Sequence, residues 1–221
     1  MPNWTYNRLE VSSHEGQGAL IDAFLAKHIN DDGAFDFSTV ISPPEGFNGE
    51  LSAGSNDDAA EVLDGEPRTL AKYFSYPWVR DAGITDHAGL VKLLTDRYES
   101  SVKSKMNMPD IPGFNPYPFE TYAELAAAYR KNVEVSGFKN WYEWACNEWG
   151  TKWNAGDTTV TRETPERVVL YFNTAWCEPV PVLHALFDQW PLLKFQSISE
   201  HEGGENDSYH SSNDYRHFMS R

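Results

Sequence analysis

The sequence Asn3-Trp-Thr-Tyr-Asn-Arg-Leu-Glu-Val-Ser12 decides the fold, because it opens a strand–helix pattern that returns near the other end of the chain. Its β-branched and aromatic residues partly alternate with polar ones, which predicts a strand. Ser12 and Glu15 then have the spacing of a helix capping box, and apolar residues follow at helical spacing up to Ile29. Residues 35–41 alternate again and end before two prolines, so they predict a second strand.

A similar pattern lies in the last third of the chain. Residues 158–162 and 168–176 predict a β-hairpin, and residues 181–190 predict a helix that begins with a proline and carries an apolar stripe. Residues 193–199 then alternate as a final strand. Together the two patterns predict an α+β fold, a ferredoxin-like antiparallel sheet with helices on one face.

A segment of different character interrupts this pattern. Residues 45–66 are poor in large apolar side chains and predict a surface loop, and four prolines between residues 108 and 118 exclude a helix there. Helical spacing returns at 68–74, 86–98 and 121–133. The sequence therefore predicts a largely helical insertion with extended connections.

The domain boundaries follow from these patterns. Residues 1–44 and 138–200 form the predicted ferredoxin-like domain, in which residues 140–150 add a further helix, and residues 45–137 form the insertion. Residues 201–221 are polar and offer little apolar surface to offset the entropy of ordering, so we expect a mobile C-terminal tail.

Parts of the sequence resemble the YubB-type ferredoxin-like domain proteins of phages, prophages and conjugative plasmids. The resemblance covers roughly residues 1–44 and 138–200 and implies the same fold and an origin in a mobile genetic element, but no catalytic residues. It rests on five strings: Met1-Pro-Asn-Trp-Thr-Tyr-Asn-Arg-Leu9, Val40-Ile-Ser-Pro-Pro44, Asn140-Trp-Tyr-Glu-Trp144 through Trp149-Gly-Thr-Lys-Trp-Asn154, Phe172-Asn-Thr-Ala-Trp-Cys-Glu-Pro179 and Trp190-Pro-Leu-Leu-Lys-Phe195.

The charge of the chain excludes several classes of partner. The 221 residues include 33 acidic and 18 basic side chains, a net charge of −15. This balance argues against direct binding to nucleic acids or anionic membranes, which depends on lysine and arginine. No secretory signal or long apolar run occurs, and two cysteines are too few for a disulfide framework. We therefore expect a cytoplasmic protein without membrane association.

The acidic residues concentrate near the N-terminus, where residues 1–60 contain ten acids and two bases. They could form a solvated surface that only keeps the protein soluble. Alternatively, they could mimic the phosphates of DNA and attract a host protein with a basic surface, in fast and salt-sensitive association. The candidate partner-binding residues are Asp31, Asp32, Asp36, Glu45, Glu50, Asp57 and Asp58.

Tryptophans form the second unusual feature. On a helical wheel the first three of the cluster share one side, so they could be buried against the sheet or exposed as a stacking platform. The scarcity of nearby lysine and arginine favours a structural role. The cluster comprises Trp141, Trp144, Trp149, Trp153 and Trp176.

The sequence predicts no catalytic residue, metal site or cofactor. The seven histidines include no pair at i, i+4, and no phosphate-binding glycine motif or nucleophile elbow occurs. Cys146 and Cys177, flanked by aromatic residues, are interpreted as buried small hydrophobic residues. Asn173, Thr174 and Glu178 precede a helix and are expected to cap it, with a ligand pocket as the alternative.

These patterns lead to two hypotheses of function. The first is a non-enzymatic phage- or plasmid-encoded accessory protein that binds and modulates a host protein through an acidic, aromatic-containing surface. Its specific form is inhibition of a defence or nucleic-acid-processing complex. The alternative is a nucleotide- or small-ligand-binding protein, or an enzyme, with a cleft between the sheet and the insertion.

Overall fold

The computed structural model describes residues 3–51, 53–54, 56–105, 119–202 and 208–219. The chain divides into two compact units. We call Met1–Pro43 with Trp144–Arg221 the sheet unit, and Pro44–Glu143 the helical unit. The sequence placed the corresponding boundaries at residues 44 and 138. The proline-rich segment 108–118, for which the sequence excludes a helix, lies outside the described residues.

The helices and strands follow one another in the order expected for a sheet domain with an insertion. In chain order they are β1 (Trp4–Ser12), α1 (Gly18–His28), a 3₁₀ helix (Phe37–Thr39), α2 (Ala59–Asp64), α3 (Pro67–Ser75), α4 (Pro77–Asp81), α5 (His87–Lys105), α6 (Tyr122–Ser136), α7 (Trp141–Glu148), β2 (Gly156–Thr164), β3 (Arg167–Ala175), α8 (Val180–Gln189), β4 (Lys194–His201), β5 (Ser208–Ser211) and α9 (Ser212–Met219).

The strands form one antiparallel sheet in the order β2-β3-β1-β4-β5. The elements β1, α1, β2, β3, α8 and β4 thereby give the split β-α-β arrangement, with β1 and β3 at the centre of its four strands. The predicted α+β fold is confirmed. The insertion lies between α1 and β2, and β5 adds a fifth strand at the edge beside β4.

One face of this sheet carries the core of the sheet unit. On β1 the buried Leu9 lies opposite Leu170 of β3 and Ser197 of β4, so the inward side chains of three strands share one row. Phe24 of α1 and Phe187 of α8 pack edge-on or tilted against Phe195 of β4. Each large apolar side chain buried in this way contributes about 1.5–3 kcal/mol. The helices α1 and α8 therefore cover this face, and the alternate residues of the strands point to the other one.

Residues 35–41 correct the prediction of a strand. Phe35 makes a single isolated bridge with Ile29, and the chain then turns into the 3₁₀ helix. Side chains replace the sheet partners here, because Thr158 Oγ1 accepts from the Phe35 N–H at 3.1 Å and Asn154 Oδ1 accepts from the Phe37 N–H at 2.8 Å. Apolar and polar residues alternate in this segment because the rings of Phe35 and Phe37 enter the core. The segment does not join the sheet as a strand.

The C-terminal segment corrects the expectation of a mobile tail, since the described residues 208–219 form β5 and α9. Polar contacts anchor them. The Ser212 hydroxyl accepts from the Phe195 N–H at 3.1 Å, and the Tyr215 ring packs at a tilt against the His184 ring with centroids 4.5 Å apart. The polar composition predicts a mobile tail because it offers little apolar surface. Residues 208–219 are held instead by hydrogen bonds and by one aromatic ring.

The helical unit has a separate core. Buried residues from α2 to α6 form it, among them Val62, Leu90, Tyr98 and Tyr122. The predicted surface loop at 45–66 is wrong in its second half, where α2 buries Ala59 and Val62. The helix α6, predicted at 121–133, begins with a capping box formed by Thr121 and Glu124.

Candidate functional site

The acidic candidates of the sheet unit lie just after α1. Asp31 and Asp32 are exposed in a turn. Asp36 instead caps the 3₁₀ helix and accepts hydrogen bonds from Asn154 Nδ2 at 2.7 Å and from the Ser38 N–H at 2.9 Å. Burial alone would raise the pKa of Asp36, but these hydrogen bonds outweigh it and lower the pKa below its ordinary value. Asp36 therefore has a structural role, and Asp31 and Asp32 are available to a partner.

The other acidic candidates belong to the helical unit. Glu45 and Glu50 are exposed, but Asp58 is buried and receives the ammonium groups of Lys72 at 2.5 Å and Lys139 at 3.2 Å. These lysines hold the pKa of Asp58 below its usual value in spite of burial. The pKa of the neighbouring Asp57 is raised, first by burial and then by the charge of Asp58. The seven acidic candidates are thus shared between two units, and Asp58 stabilises the interior of one of them.

Three tryptophans of the cluster lie against other rings. The Trp144 ring is buried and meets Trp149 edge-on with centroids 5.0 Å apart. Trp149 also packs edge-on against Phe37, and its indole N–H donates to the carbonyl oxygen of Ile41 at 2.9 Å. In the helical unit, Trp141 lies edge-on to Tyr142 with centroids 6.0 Å apart. Trp149 therefore packs on the core of the sheet unit, and Trp144 packs against Trp149.

The remaining two tryptophans are displayed to solvent. Trp153 and Trp176 are 38 % and 42 % exposed, and the ring of Trp4 lies 6.1 Å from that of Trp153. The ammonium of Lys152 stands 4.4 Å from the centre of the Trp153 ring and 5.3 Å from that of Trp176. We call these three tryptophans and Lys152 the tryptophan end, because they lie where β1 begins and β3 ends.

The sheet surface opposite α1 and α8 continues from the tryptophan end. A single row of directly paired residues crosses it from β3 to β5: Tyr171 is opposite Arg8, Arg8 is opposite Ile198, and Ile198 is opposite Tyr209. Tyr6 lies two residues before Arg8 on the same side of β1. The four uncharged side chains are 38 % to 55 % exposed. We call Tyr6, Arg8, Tyr171, Ile198 and Tyr209 the open face.

The cations beside this aromatic surface are already paired. Glu10 accepts from Arg8 at 3.0 Å and from Arg167 at 2.8 Å, and Arg167 also pairs with Glu163 at 3.0 Å. A hydrogen bond to Tyr171, followed by the contacts with Glu10, raises the pKa of Arg8. Burial opposes ionisation of Glu10, yet the two arginines hold its pKa below the ordinary value. The open face therefore presents aromatic and aliphatic surface beside a neutralised network of charges.

A polar cluster that no sequence pattern predicts lies on the helix-covered side of the sheet. Glu178 lies between two histidines, with its carboxylate oxygens 3.3 Å from His201 Nε2 and 3.5 Å from His210 Nε2. His201 Nδ1 is also 3.1 Å from the hydroxyl of Thr5. Burial would raise the pKa of Glu178, but hydrogen bonds from its own backbone N–H and from His210 contribute to lowering it. Since the tail was expected to be mobile, nothing in the sequence connected His201 and His210 with Glu178.

The strand-to-helix junction also differs from expectation. Pro179 occupies the N-cap position of α8 without a side-chain hydrogen bond to the helix, so Glu178 does not cap it. Thr174 Oγ1 donates to the Cys177 carbonyl oxygen at 2.7 Å, and Asn173 Nδ2 donates to Asp157 at 3.1 Å. These side chains fix the turn that displays Trp176. The cap prediction failed because the polar residues bond to the strand and the turn instead.

The described residues also bear on metal binding, on the cysteines and on membrane-spanning helices. Among them no group of three or more histidine, cysteine, aspartate or glutamate side chains could hold a metal ion. Cys177 is exposed and Cys146 is half-buried, which corrects the expectation that both are buried. No helix of the described ranges is long and apolar enough to cross a membrane.

The open face did leave a signal in the sequence. A strand with one face in the core alternates apolar and polar residues, and here the outward positions of β1 and β3 carry Tyr6 and Tyr171. Large aromatic residues therefore stand at positions where the alternation predicts polar ones. The strand pairing that places Tyr171, Arg8 and Ile198 in one row needed the structure.

Comparisons with known proteins give one structural similarity. No family model and no curated protein matches the chain. The crystal structure of protein api92 from Yersinia pseudotuberculosis, of the family model DUF1281, is similar with a TM-score of 0.43 and 11 % sequence identity. The match covers 96 % of this chain and 94 % of that chain. The resemblance to YubB-type proteins stays a prediction.

Proposed function

We propose that this protein is a non-enzymatic binding protein whose open face docks a partner protein. The observation that carries the proposal is the row of Tyr171, Arg8, Ile198 and Tyr209 across neighbouring strands, with Tyr6 beside it. Neighbouring exposed aromatic and aliphatic side chains mark binding surfaces more often than singly scattered apolar residues do. A sheet face positions such side chains rigidly, so little entropy is lost when a partner covers them.

The composition of the open face suits a protein interface. Tyrosine, tryptophan and arginine are the residues that most often dominate the binding energy of protein interfaces. Here Tyr171 lies beside Arg8 and Tyr209 lies beside Ile198 in the same row. The exposed Trp153 and Trp176 continue the surface at the tryptophan end. Aromatic rings offer a large contact area and have few rotatable bonds, which keeps the entropic cost of binding low.

The charges favour a protein over a nucleic acid as the partner. Phosphate binding needs cations that can exchange their counterions for phosphates, whereas Arg8 and Arg167 are both paired with Glu10. In the sheet unit the acidic residues outnumber the basic ones by about two to one. A partner with a basic rim around an apolar patch complements this surface in both charge and chemistry.

We further propose a host protein as the partner, on the strength of the resemblance to proteins of mobile genetic elements. The exposed Asp31 and Asp32 would accelerate its approach through long-range attraction. Binding would modulate the partner, and inhibition of a defence or nucleic-acid-processing complex is the specific form of the hypothesis.

Variants of the open face test the docking proposal. The full-length protein is immobilised, and proteins retained from host lysate are compared between the original chain and the double variant Tyr6→Ser, Tyr171→Ser. We expect a defined partner in stoichiometric amount on the original chain and at least a tenfold loss on the double variant, because truncating a central hot-spot residue costs about 2 kcal/mol or more.

The matched control is Leu192→Ser, which removes an apolar side chain that is 65 % exposed and lies outside the open face. Its retention of the partner should equal that of the original chain. Equal retention by the double variant, with both proteins folded by circular dichroism, would show that the open face is not the docking surface.

A further inference from the structure

The tryptophan end already holds a cation between two aromatic faces. Lys152 Nζ lies 4.4 Å from the ring centre of Trp153 and 5.3 Å from that of Trp176. Both distances fall within the range of about 6 Å over which the ring quadrupole attracts a cation. Since both rings are also well exposed, a cation from outside can reach them.

The backbone of Trp176 supports a binding role for its ring. Its φ of 72° lies in the left-handed region, which is unfavourable for a bulky side chain. The Trp176 N–H donates to the carbonyl oxygen of Asn3 at 2.9 Å, and the neighbouring Thr174 hydroxyl donates to the Cys177 carbonyl oxygen at 2.7 Å. These bonds hold the turn in a strained conformation that displays an indole beside Trp153 instead of burying it.

Carboxylates border the same end of the sheet. Glu200 on β4 lies opposite Tyr6 on β1, and Glu202 Oε2 accepts a hydrogen bond from the Trp4 N–H at 2.9 Å. Negative charge beside exposed indole rings favours a cationic ligand and disfavours a phosphate. The ligand that this combination fits best is a guanidinium group, because it is planar, weakly hydrated and stacks on aromatic faces more readily than an ammonium.

We propose that the tryptophan end binds an arginine side chain of the partner protein, which displaces the ammonium of Lys152 from between Trp153 and Trp176. This inference rests on the proposed function, since it names the chemistry by which one end of the interface recognises its partner. Lys152 acts as an internal competitor that occupies the place beside the two rings until an arginine replaces it.

A peptide titration tests the inference on the full-length protein. The probe is a blocked peptide of alternating glycine and arginine with three arginines, and the matched probe carries neutral citrulline at those positions. Binding is followed by tryptophan fluorescence and calorimetry at low salt. We expect the arginine peptide to bind measurably more tightly than the citrulline peptide, because only the former carries the cation.

Three variants should change the affinity for the arginine peptide in opposite directions. Trp176→Leu and Trp153→Leu should each weaken arginine-peptide binding about fivefold, the equivalent of about 1 kcal/mol for one lost cation–π contact. Lys152→Gln should strengthen it, since the internal competitor is removed. The control is Trp78→Leu, which removes an exposed tryptophan of the helical unit that has Arg97 over its ring, and it should leave the affinity unchanged.

Several results would overturn the inference. They are equal affinity for the arginine and citrulline peptides, no binding of the arginine peptide at all, and weaker binding by Lys152→Gln. Tight binding of an oligothymidine single strand that Lys152→Gln abolishes would assign the tryptophan end to nucleic acid instead. If the tryptophan variants still retain the partner protein that Tyr6→Ser, Tyr171→Ser loses, the inference fails while the docking proposal stands.

Discussion

His28 shows how the interior of the sheet unit fixes the protonation state of one side chain. It is fully buried on α1, where Trp190 Nε1–H donates to its Nε2 at 2.9 Å. Because Nε2 accepts, the ring proton lies on Nδ1, which is 2.7 Å from the Thr39 hydroxyl. Burial, assisted by the charge of the neighbouring Lys27, lowers the pKa of His28 to about 4. The imidazole is therefore neutral at physiological pH.

This buried histidine predicts a pH dependence of stability. Between pH 6.5 and about 4 the unfolded chain takes up a proton at His28 and the folded chain does not, so the free energy of unfolding falls as the pH is lowered through this window. The loss amounts to at most about 3 kcal/mol. His28→Gln keeps a hydrogen-bond acceptor for Trp190 without a titrating group, and its urea-unfolding stability should fall less over the same range.

The comparison with His28→Gln isolates the histidine, because the two proteins carry the same carboxylates and differ only at this residue. His14, which is exposed in the sheet unit, provides the control variant His14→Gln, whose pH profile should match that of the original chain. Parallel profiles of the original chain and His28→Gln between pH 7 and pH 4 would contradict a neutral, buried imidazole.

At the level of single elements, sequence patterns correctly predicted the strands and helices that bury one side in a core. The strands β1, β3 and β4 and the helix α8 each place alternate or helically spaced residues in one core, so their patterns were reliable. Residues 35–41 also alternate, but they enter that core from a 3₁₀ helix whose backbone bonds to side chains. The periodicity of a sequence reports which residues are buried. It does not tell whether the backbone is paired with a neighbouring strand or bonded to side chains.

The same limit applies to the candidate site. Composition could identify exposed acids and tryptophans, but not that Asp58 is enclosed by Lys72 and Lys139. The open face depends on which outward residues stand side by side, and that follows from strand order and register. Both are products of long-range pairing, which a local pattern does not contain.

The attachment of α9 gives a prediction for one element. The guanidinium of Arg216 donates to three carbonyl oxygens, those of Phe187 at 3.1 Å, Leu193 at 3.2 Å and Trp190 at 3.4 Å. Arg216→Ala leaves these half-buried carbonyls without that donor, so α9 should detach more often. We expect hydrogen exchange of residues 208–219 to accelerate at least fivefold, as measured by mass spectrometry, since such a charged hydrogen bond contributes about 1.5 kcal/mol or more.

Phe218→Ala is the control for this experiment, because it truncates a side chain of α9 that is 75 % exposed. Exchange in the segment should stay close to that of the original chain. If Arg216→Ala and Phe218→Ala exchange at the same rate, Arg216 is not what secures the C-terminal helix.

For the whole molecule, the net charge of −15 predicts how quickly a basic partner associates. Replacing the exposed pair by Asp31→Asn, Asp32→Asn should lower the association rate constant severalfold at low salt, and the difference should vanish at about 0.5 M salt as screening becomes complete. Stopped-flow or surface-plasmon-resonance kinetics measure both effects. Reversal of Asp58 is unsuitable for this purpose, because a cation there would face Lys72 and Lys139 in the interior.

A second double variant that loses the same number of charges tests whether the position of the aspartates matters. It separates attraction by Asp31 and Asp32 from attraction by the net charge of the whole protein. Asp96→Asn, Glu134→Gln neutralises two exposed carboxylates of the helical unit. We expect it to slow association less than the pair in the sheet unit, which carries the open face. An unchanged rate for Asp31→Asn, Asp32→Asn at low salt would exclude these aspartates from steering the partner.

The central claim, that the open face docks a protein, is tested most directly by oxidative footprinting of the complex. Hydroxyl radicals modify exposed side chains, so burial by the partner appears as protection in mass spectrometry. We predict that Tyr6, Tyr171 and Tyr209 lose most of their reactivity in the complex, whereas Leu192 and Phe218, also exposed in the free protein, keep theirs. Undiminished oxidation of the three tyrosines in the fully formed complex would contradict the claim.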